Sequence, residues 1–202
     1  MHPNKVGLSL FDIRKMLNEK QIADKTFSKT DAQESKVVEA GVLLLLYYKG
    51  NDVCILLNKR SQLVEHHKGE IAFPGGVKDP EDKNIQDTAL REVEEEMGVK
   101  KRDVEVIGKL SKVKTRTNFI ITPFVGTIPS SYPFKVSDYE VSEILEIPMC
   151  NLLTQLKQNL HLMEIPREEI RQYKYEFGNH TIWGATANIL SELLFIISTS
   201  RN

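Results

Sequence analysis

The sequence predicts an α+β domain, an α/β/α sandwich built on a mixed β-sheet. Two observations predict it. Val- and Leu-rich runs of strand length are interspersed with helical patterns, without the strict strand–helix alternation of a doubly wound parallel sheet. The chain has 202 residues and 41% hydrophobic content, enough for one well-cored domain and thin for two. Lys and Arg total 27 against 28 for Asp and Glu, a net charge of −1. No global positive field therefore argues for nucleic acid, and no acidic excess argues for a disordered, solvating chain.

Residues 1–35 are polar and charged and read as an N-terminal extension, partly helical; residues 36–202 read as the domain proper. Ser9 is placed to cap a short helix with Leu10, Ile13, Met16 and Leu17 on one side. Residues 23–35 read as a loop or edge segment. Residues 37–48 form a buried strand, Lys49-Gly50-Asn51-Asp52 a turn and residues 53–58 the returning strand of a hairpin. A short strand over 71–73 is stopped by Pro74-Gly75-Gly76. A helix then runs over 84–97 and stops at Gly98. Strands are expected over 104–110, 120–128 and 141–147, the last leading into Pro148 and a helix through Leu156. Residues 173–177 and 180–183 flank Gly178-Asn179 as a last hairpin, and 185–198 form a strongly apolar, packed helix.

Cys54 and Cys150 lie in apolar runs and read as reduced, buried thiols. Residues 1–20 lack the apolar core of a signal peptide, and the longest apolar run, 41–48, is far too short to span a bilayer. Ser200-Arg201-Asn202 is not a peroxisomal address. A cytoplasmic protein with no membrane or nucleic-acid partner is the expectation.

The densest functional signal lies between Gly69 and Val99. Ala89, Val93 and Met97 recur at four-residue spacing with Leu90 beside them, a buried stripe. Glu92 and Glu96 are i and i+4 on one face; Glu96 falls at the edge of the stripe, Glu92 next to it and Glu95 further round. Glu92, Glu94, Glu95 and Glu96 thus crowd the C-terminal half of a helix, where the helix dipole disfavours anions. Like charges at i,i+4 cost roughly 0.2–0.5 kcal/mol per pair. A hard divalent ion such as Mg²⁺ or Mn²⁺ neutralises such a set with oxygen ligands; the plain alternative is a solvated acidic face. Gly75 and Gly76 let the backbone turn sharply and approach a ligand, with a carbonyl free for a metal. Arg91 is suited to a bidentate pair with Asp82 or Glu81.

Arg91-Glu92-Val93-Glu94-Glu95-Glu96-Met97-Gly98-Val99 resembles the REUXEEXGU core of the Nudix box, where U is a bulky apolar residue. The wider spacing departs from the family's GX5EX7RE. Gly76 to Asp82 fits GX5 with an aspartate in place of glutamate, and the stretch from Asp82 to Arg91 is one residue too long. The lengthened loop resembles that of coenzyme A pyrophosphatases, with Phe73-Pro74-Gly75-Gly76, then Asp79-Pro80-Glu81-Asp82, then Thr88-Ala89-Leu90-Arg91-Glu92. Upstream, Leu56-Leu57-Asn58-Lys59-Arg60-Ser61, Val64, His67, Gly69 and Ile71 are similar to LLTxRSxxLxxHxGxV, with Asn58 for Thr, Val64 for Leu and Ile71 for Val. Downstream, Ile121–Gly126, Glu140-Val141, Ile147-Pro148 and Ile182–Ala187 are also similar, so the resemblance covers about residues 40–198.

The resemblance implies a Nudix fold and metal-dependent hydrolysis of a pyrophosphate with Mg²⁺ or Mn²⁺. CoA or a derivative would yield 3′,5′-ADP and 4′-phosphopantetheine. Another nucleoside diphosphate derivative (ADP-ribose, NADH or a dNTP) and a non-catalytic CoA- or nucleotide-sensing module stand as alternatives. It implies Glu92, Glu95 and Glu96 as metal ligands, with a Gly75 or Gly76 carbonyl, and Glu95, Glu96 and Glu140 as catalytic residues, with Glu143 behind Glu140. Arg60, His67, Phe73, Gly75 and Gly76 form the substrate-binding set, and Arg91 with Asp82 its support. Arg60 reads equally as a phosphate contact or a structural ion pair, and His67 as a hydrogen bond holding the loop or a direct contact. Lys59 reads as a phosphate contact or a surface charge. Phe73 is expected to pack under the loop, and Trp183 in the core rather than on an adenine. The partner is a small-molecule substrate, and a homodimer is compatible with the family.

Overall fold

Period-2 alternation in the central hairpin sorts its apolar residues onto two faces, and this sorting organises the protein. The computed structural model describes residues 8–25, 37–164 and 173–199. In chain order these form α1 (Leu10–Lys25), β1 (Val38–Lys49), β2 (Asp52–Arg60), β3 (Ile71–Ala72), β4 (Gly75–Val77) and α2 (Ile85–Met97). A 3₁₀ turn at Lys101–Asp103 leads to β5 (Glu105–Lys109), β6 (Val113–Lys114), β7 (Phe119–Thr127), β8 (Val141–Pro148) and α3 (Met149–Glu164). The hairpin of β9 (Tyr175–Phe177) and β10 (His180–Ile182) precedes α4 (Gly184–Thr199).

The main sheet runs β3-β2-β1-β7-β5, with β4 on β1, β6 on β7 and β8 on β2. The β1–β7 pairing is parallel and its other pairings are antiparallel, so the sheet is mixed. Leu44, Leu46, Val53, Ile55 and Leu57 point to one side and pack with Ile13 and Leu17 of α1, Leu152 and Leu156 of α3, and the apolar stripe of α4. Leu43, Leu45, Tyr47, Cys54 and Leu56 point to the other and pack with Ala89, Val93 and Met97 of α2. The expected α/β/α sandwich is therefore present, and each fully buried Leu or Ile contributes roughly 1.5–3 kcal/mol. Ser9 caps α1 through its hydroxyl, 3.1 Å from the Asp12 N–H.

One departure from regular pairing positions the site. β1 and β2 pair from Leu45↔Leu56 to Lys49↔Asp52 and then diverge. Into the wedge between them come β3, on β2 at Asn58↔Ala72, and β4, on β1 at Val42↔Gly75 and Gly41↔Gly76. The Leu43 N–H donates to the Pro74 carbonyl at 2.9 Å and closes the wedge.

Several expectations are corrected. Gly75-Gly76 belongs to a strand rather than a loop, and β6 falls between the expected strands; both are too short to show a period. The helices α1 and α3 run on to Lys25 and Glu164. Residues 23–25 of the expected loop are thus helical, and its remainder lies outside the described residues. Trp183 is 53% exposed instead of packed. Ile182 pairs with Tyr175 and both are buried, so the next residue emerges on the opposite side. Cys54 is buried as expected but Cys150 is exposed, because the inward stripe of α3 is Met149, Leu152 and Leu156. Among the described residues no helix is long and apolar enough to cross a membrane.

Candidate active site

The helix α2 is specified locally at both ends. The Asn84 side chain accepts from the N–H groups of Gln86 and Asp87 at 2.9 and 3.1 Å, and Gly98 closes the helix at φ 70°. The loop before it is steadied by its own aspartates. The Asp79 N–H donates to Asp82 Oδ2 at 2.9 Å, and the Glu81 N–H to Asp79 Oδ1 at 3.1 Å.

The acidic run divides by partner. Glu94 turns to Lys100 at 3.0 Å, which draws its carboxyl below the usual range. Glu95, 54% exposed at its side chain, pairs with Arg91 at 2.9 Å. These two behave as a solvated face with its own cations. Glu92 and Glu96 point inward. Glu92 is half-buried, and burial raises its carboxyl against the opposing pull of Arg91 at 2.9 Å. Glu96 is almost fully enclosed, and burial pushes it up to about 8; Arg60 opposes this, while the charges of Glu92 and Glu140 add to it.

Arg91 ties helix to loop. Its Nε and Nη2 donate to Asp82 Oδ1 and Oδ2 at 3.0 and 3.1 Å, the expected bidentate pair with Asp82 rather than the exposed Glu81. A further bond reaches the Val77 carbonyl at 3.3 Å. These hydrogen bonds hold the Asp82 carboxyl well below the usual carboxylate range. Gly76 lies against Glu92: a Cβ there would stand 2.4 Å from Glu92 Oε1. Gly75, at φ 155°, has its N–H on Glu96. The two glycines are thus where the backbone meets the two inward carboxylates.

The strand β2 supplies the floor. Alternation carries the α2-facing side from Cys54 and Leu56 to Asn58 and Arg60. Asn58 Nδ2 donates to Glu96 Oε2 at 2.8 Å, and Arg60 Nη1 stands 3.7 Å from Glu96 Oε1. Lys59 falls on the opposite parity, with Ile55 and Leu57, and so faces away from α2. Glu140 arrives from the turn before β8. Its carbonyl accepts the Ser61 N–H at 2.8 Å, its N–H donates to Ser137 at 3.0 Å, and the Ser137 N–H donates to the Glu96 carbonyl at 2.9 Å. That turn is therefore laced both to the end of β2 and to the last turn of α2. Glu143 shares parity with Leu145 and Ile147, on the far face, and pairs with His180 at 3.2 Å.

Phe73 is buried in the core beneath the wedge and offers no open face to a ligand. His67 sits in the exposed loop at φ 58°, with Nδ1 3.0 Å from Glu70 Oε2, a contact that holds the loop. His66 is exposed. The structure thus gathers Glu92, Glu96, Glu140, Arg60, Arg91, Asp82, Gly75 and Gly76 around one cluster. It leaves Glu95 on its rim and His67, Phe73 and Glu143 outside it. Sequence reasoning missed Asn58; counting by twos from Cys54 and Leu56 finds it.

Among the described residues, no three acidic, histidine or cysteine side chains stand close enough together as placed to hold an ion. The chemistry of the cluster nonetheless fits a hard cation. Glu92, Glu96 and Glu140 repel one another, every donor is oxygen, and the buried Asn58 Oδ1 has no partner among the described residues.

Comparison with known proteins follows the same lines. A family profile described as the NUDIX domain matches residues 37–159. An uncharacterized Nudix hydrolase, NudL, of Photorhabdus laumondii is 37% identical over 156 residues, 76% of this chain and 82% of that protein. NudL of Yersinia pestis is 39% identical over 141 residues, 69% of this chain and 70% of that one. Among solved structures, an Ap4A hydrolase from C. elegans superposes with a TM-score of 0.52 at 14% identity, covering 82% of this chain and 98% of that one. The DR0079 protein from Deinococcus radiodurans gives 0.51 at 14% identity, covering 81% and 88%. At these identities the two structures speak for the fold.

Proposed function

The chain belongs to the Nudix family of hydrolases, and from that premise we propose that it cleaves the pyrophosphate of coenzyme A or a CoA derivative, yielding 3′,5′-ADP and 4′-phosphopantetheine or its acyl form. The observation that carries the reading is the cluster of Glu92, Glu96 and Glu140 beside Gly75 and Gly76, with Arg60 at its edge. Support for CoA comes from the stretch from Leu56 to Gly76. Its ends, residues 56–60 and 71–76, become the floor of this cluster and the wedge strands, while His67 lies in the exposed loop between them.

Water adds across the P–O–P bridge, so each product keeps one of the two bridging phosphates, the adenosine product also keeps its 3′-phosphate, and a proton is released. Hydrolysis of this kind depends on positioning and charge neutralisation. Glu92 and Glu96 would hold Mg²⁺ or Mn²⁺, with Glu95 reachable from the rim; when bound, the ion supplies charge neutralisation at the phosphate oxygens and a more acidic water. Glu140 is assigned as general base, held in place by its backbone bonds to Ser61 and Ser137. Arg60 Nε, buried and without an acceptor among the described residues, is a donor in reserve for a phosphate oxygen. Arg91 and Asp82 keep loop and helix in register.

The test is incubation with CoA and Mg²⁺ or Mn²⁺, products read by mass spectrometry, with Glu96→Gln alongside. Formation of 3′,5′-ADP and 4′-phosphopantetheine, lost in the variant, is expected. A panel of CoA, ADP-ribose, NADH and dNTPs ranked by kcat/KM sets the substrate; preference for any of the others, or tight CoA binding without turnover, overturns the reading. An unchanged acidic limb in the pH–rate profile of Glu140→Gln removes Glu140 as base.

A further inference from the structure

We propose that Asn58 is a positioning residue that holds Glu96 in the orientation from which it binds a divalent cation. The inference rests on the metal-dependent reading above. Asn58 is 1% exposed and lies on a strand whose neighbours on the same face, Cys54 and Leu56, are buried apolar side chains. An apolar residue would satisfy packing there. Instead the position carries an amide whose recorded side-chain bond goes from Nδ2 to Glu96 Oε2, at 2.8 Å. Its other end, Oδ1, is buried without a donor among the described residues. A residue retained for packing would not leave a buried acceptor bare; the arrangement is accounted for by the contact to Glu96.

The geometry divides the labour around Glu96. Asn58 takes Oε2, Arg60 approaches Oε1 at 3.7 Å, and the Gly75 N–H gives a further bond. Of these, Asn58 is the one short, neutral side-chain donor. It restrains the carboxylate's rotation without adding a charge that competes with a cation. A buried glutamate repelled by Glu92 and Glu140 would otherwise turn away from them, so the restraint acts where convergence is hardest to keep.

The test reads Mn²⁺ binding to the full chain without substrate, by electron paramagnetic resonance of free Mn²⁺, in wild type, Asn58→Leu and Asn58→Thr. Glu96→Gln serves as the reference for a lost ligand. Asn58→Leu is expected to raise the Mn²⁺ Kd at least tenfold. Asn58→Thr, which keeps a hydroxyl donor, is expected to stay within threefold of wild type. In steady state the Leu variant should need more Mn²⁺ for half-maximal rate with KM for CoA little changed. Wild-type Mn²⁺ affinity in the Leu variant overturns the proposal, as does an equal loss in the Thr variant. If leucine overfills the site and prevents folding, Asn58→Ala removes the same donor. Mn²⁺ affinity is measured without substrate, so these outcomes stand whether or not CoA is hydrolysed.

Discussion

Helices α2 and α4 cover opposite faces of one sheet and are held there by opposite means. The helix α4 buries Ala187, Ile189, Leu190, Ser191, Leu193, Leu194, Ile196 and Ile197, and has no acid in its first turn and no base in its last. Apolar burial dominates it, with Glu192 bonded to Lys20 and Ser111, and Ser191 bonded to Tyr175. The helix α2 buries Thr88, Ala89, Val93, Glu96 and Met97, so part of its buried surface is polar. A side-chain cap, a left-handed glycine and the bonds of Arg91 and Lys100 supply the rest. One face of the sheet is thus given to stability. The other sets mutually repelling carboxylates beside an apolar core of its own.

That division makes graded predictions. The largest effect on stability belongs to α4: Leu193→Ala should lose about 2–5 kcal/mol in urea denaturation, with kcat per folded molecule unchanged. A parallel fall in kcat would break the division. Next comes Glu96→Gln, expected to lower kcat by about 10²–10³-fold, the scale for removing one group aimed at transition-state charge. In the metal-free protein the same change should hold or raise the melting temperature, since it removes a buried carboxylate. The sign follows from the raised pKa. Glu96 favours the folded state while protonated, so its contribution is present below about 4.5 and lost as pH rises through about 8. Wild-type stability should therefore fall relative to the Gln variant across that window, read by melting temperature against pH.

Gly76→Ala sharpens the comparison at finer scale. The three atoms nearest to the added Cβ are all from the end of the flexible Glu92 side chain, which must swing away. A fall in kcat of about 10–100-fold with little change in melting temperature is expected, as for a misplacement of about 1 Å. The smallest effect is Asn84→Ala, which removes the α2 cap and should cost about 1 kcal/mol in urea with kcat retained.

What was legible in the sequence was what depends on neighbours along the chain. The Gly98 stop and apolar stripe of α2, the hairpin, the pairing of Arg91 with one of Asp82 and Glu81, and the place of Glu96 at the stripe's edge all follow from local spacing, and the structure has each of them. What was not legible depends on partners brought from afar. Asn58 reads as a small departure from a signature until the diverging hairpin sets it under Glu96. Glu95 reads as a third ligand, set further round the helix than Glu92, and its exposure beside Arg91 leaves it on the rim. Trp183 carries the composition of a core residue, but the short β9–β10 hairpin spends its inward positions on Tyr175 and Ile182.

The wedge between β1 and β2 also bears on how the protein is made. After α1, synthesis delivers the hairpin, the wedge strands and α2, all between Val38 and Met97. The strands that cover the outer edges of this unit come later: β7 begins at Phe119 and β8, just after Glu140, ends at Pro148. A growing chain on the ribosome therefore carries the acidic helix for some time with two bare β-edges and without Glu140. In that interval it is exposed to pairing with other chains, as unfinished sheets are. Glu140 arrives with the strand that closes the second edge.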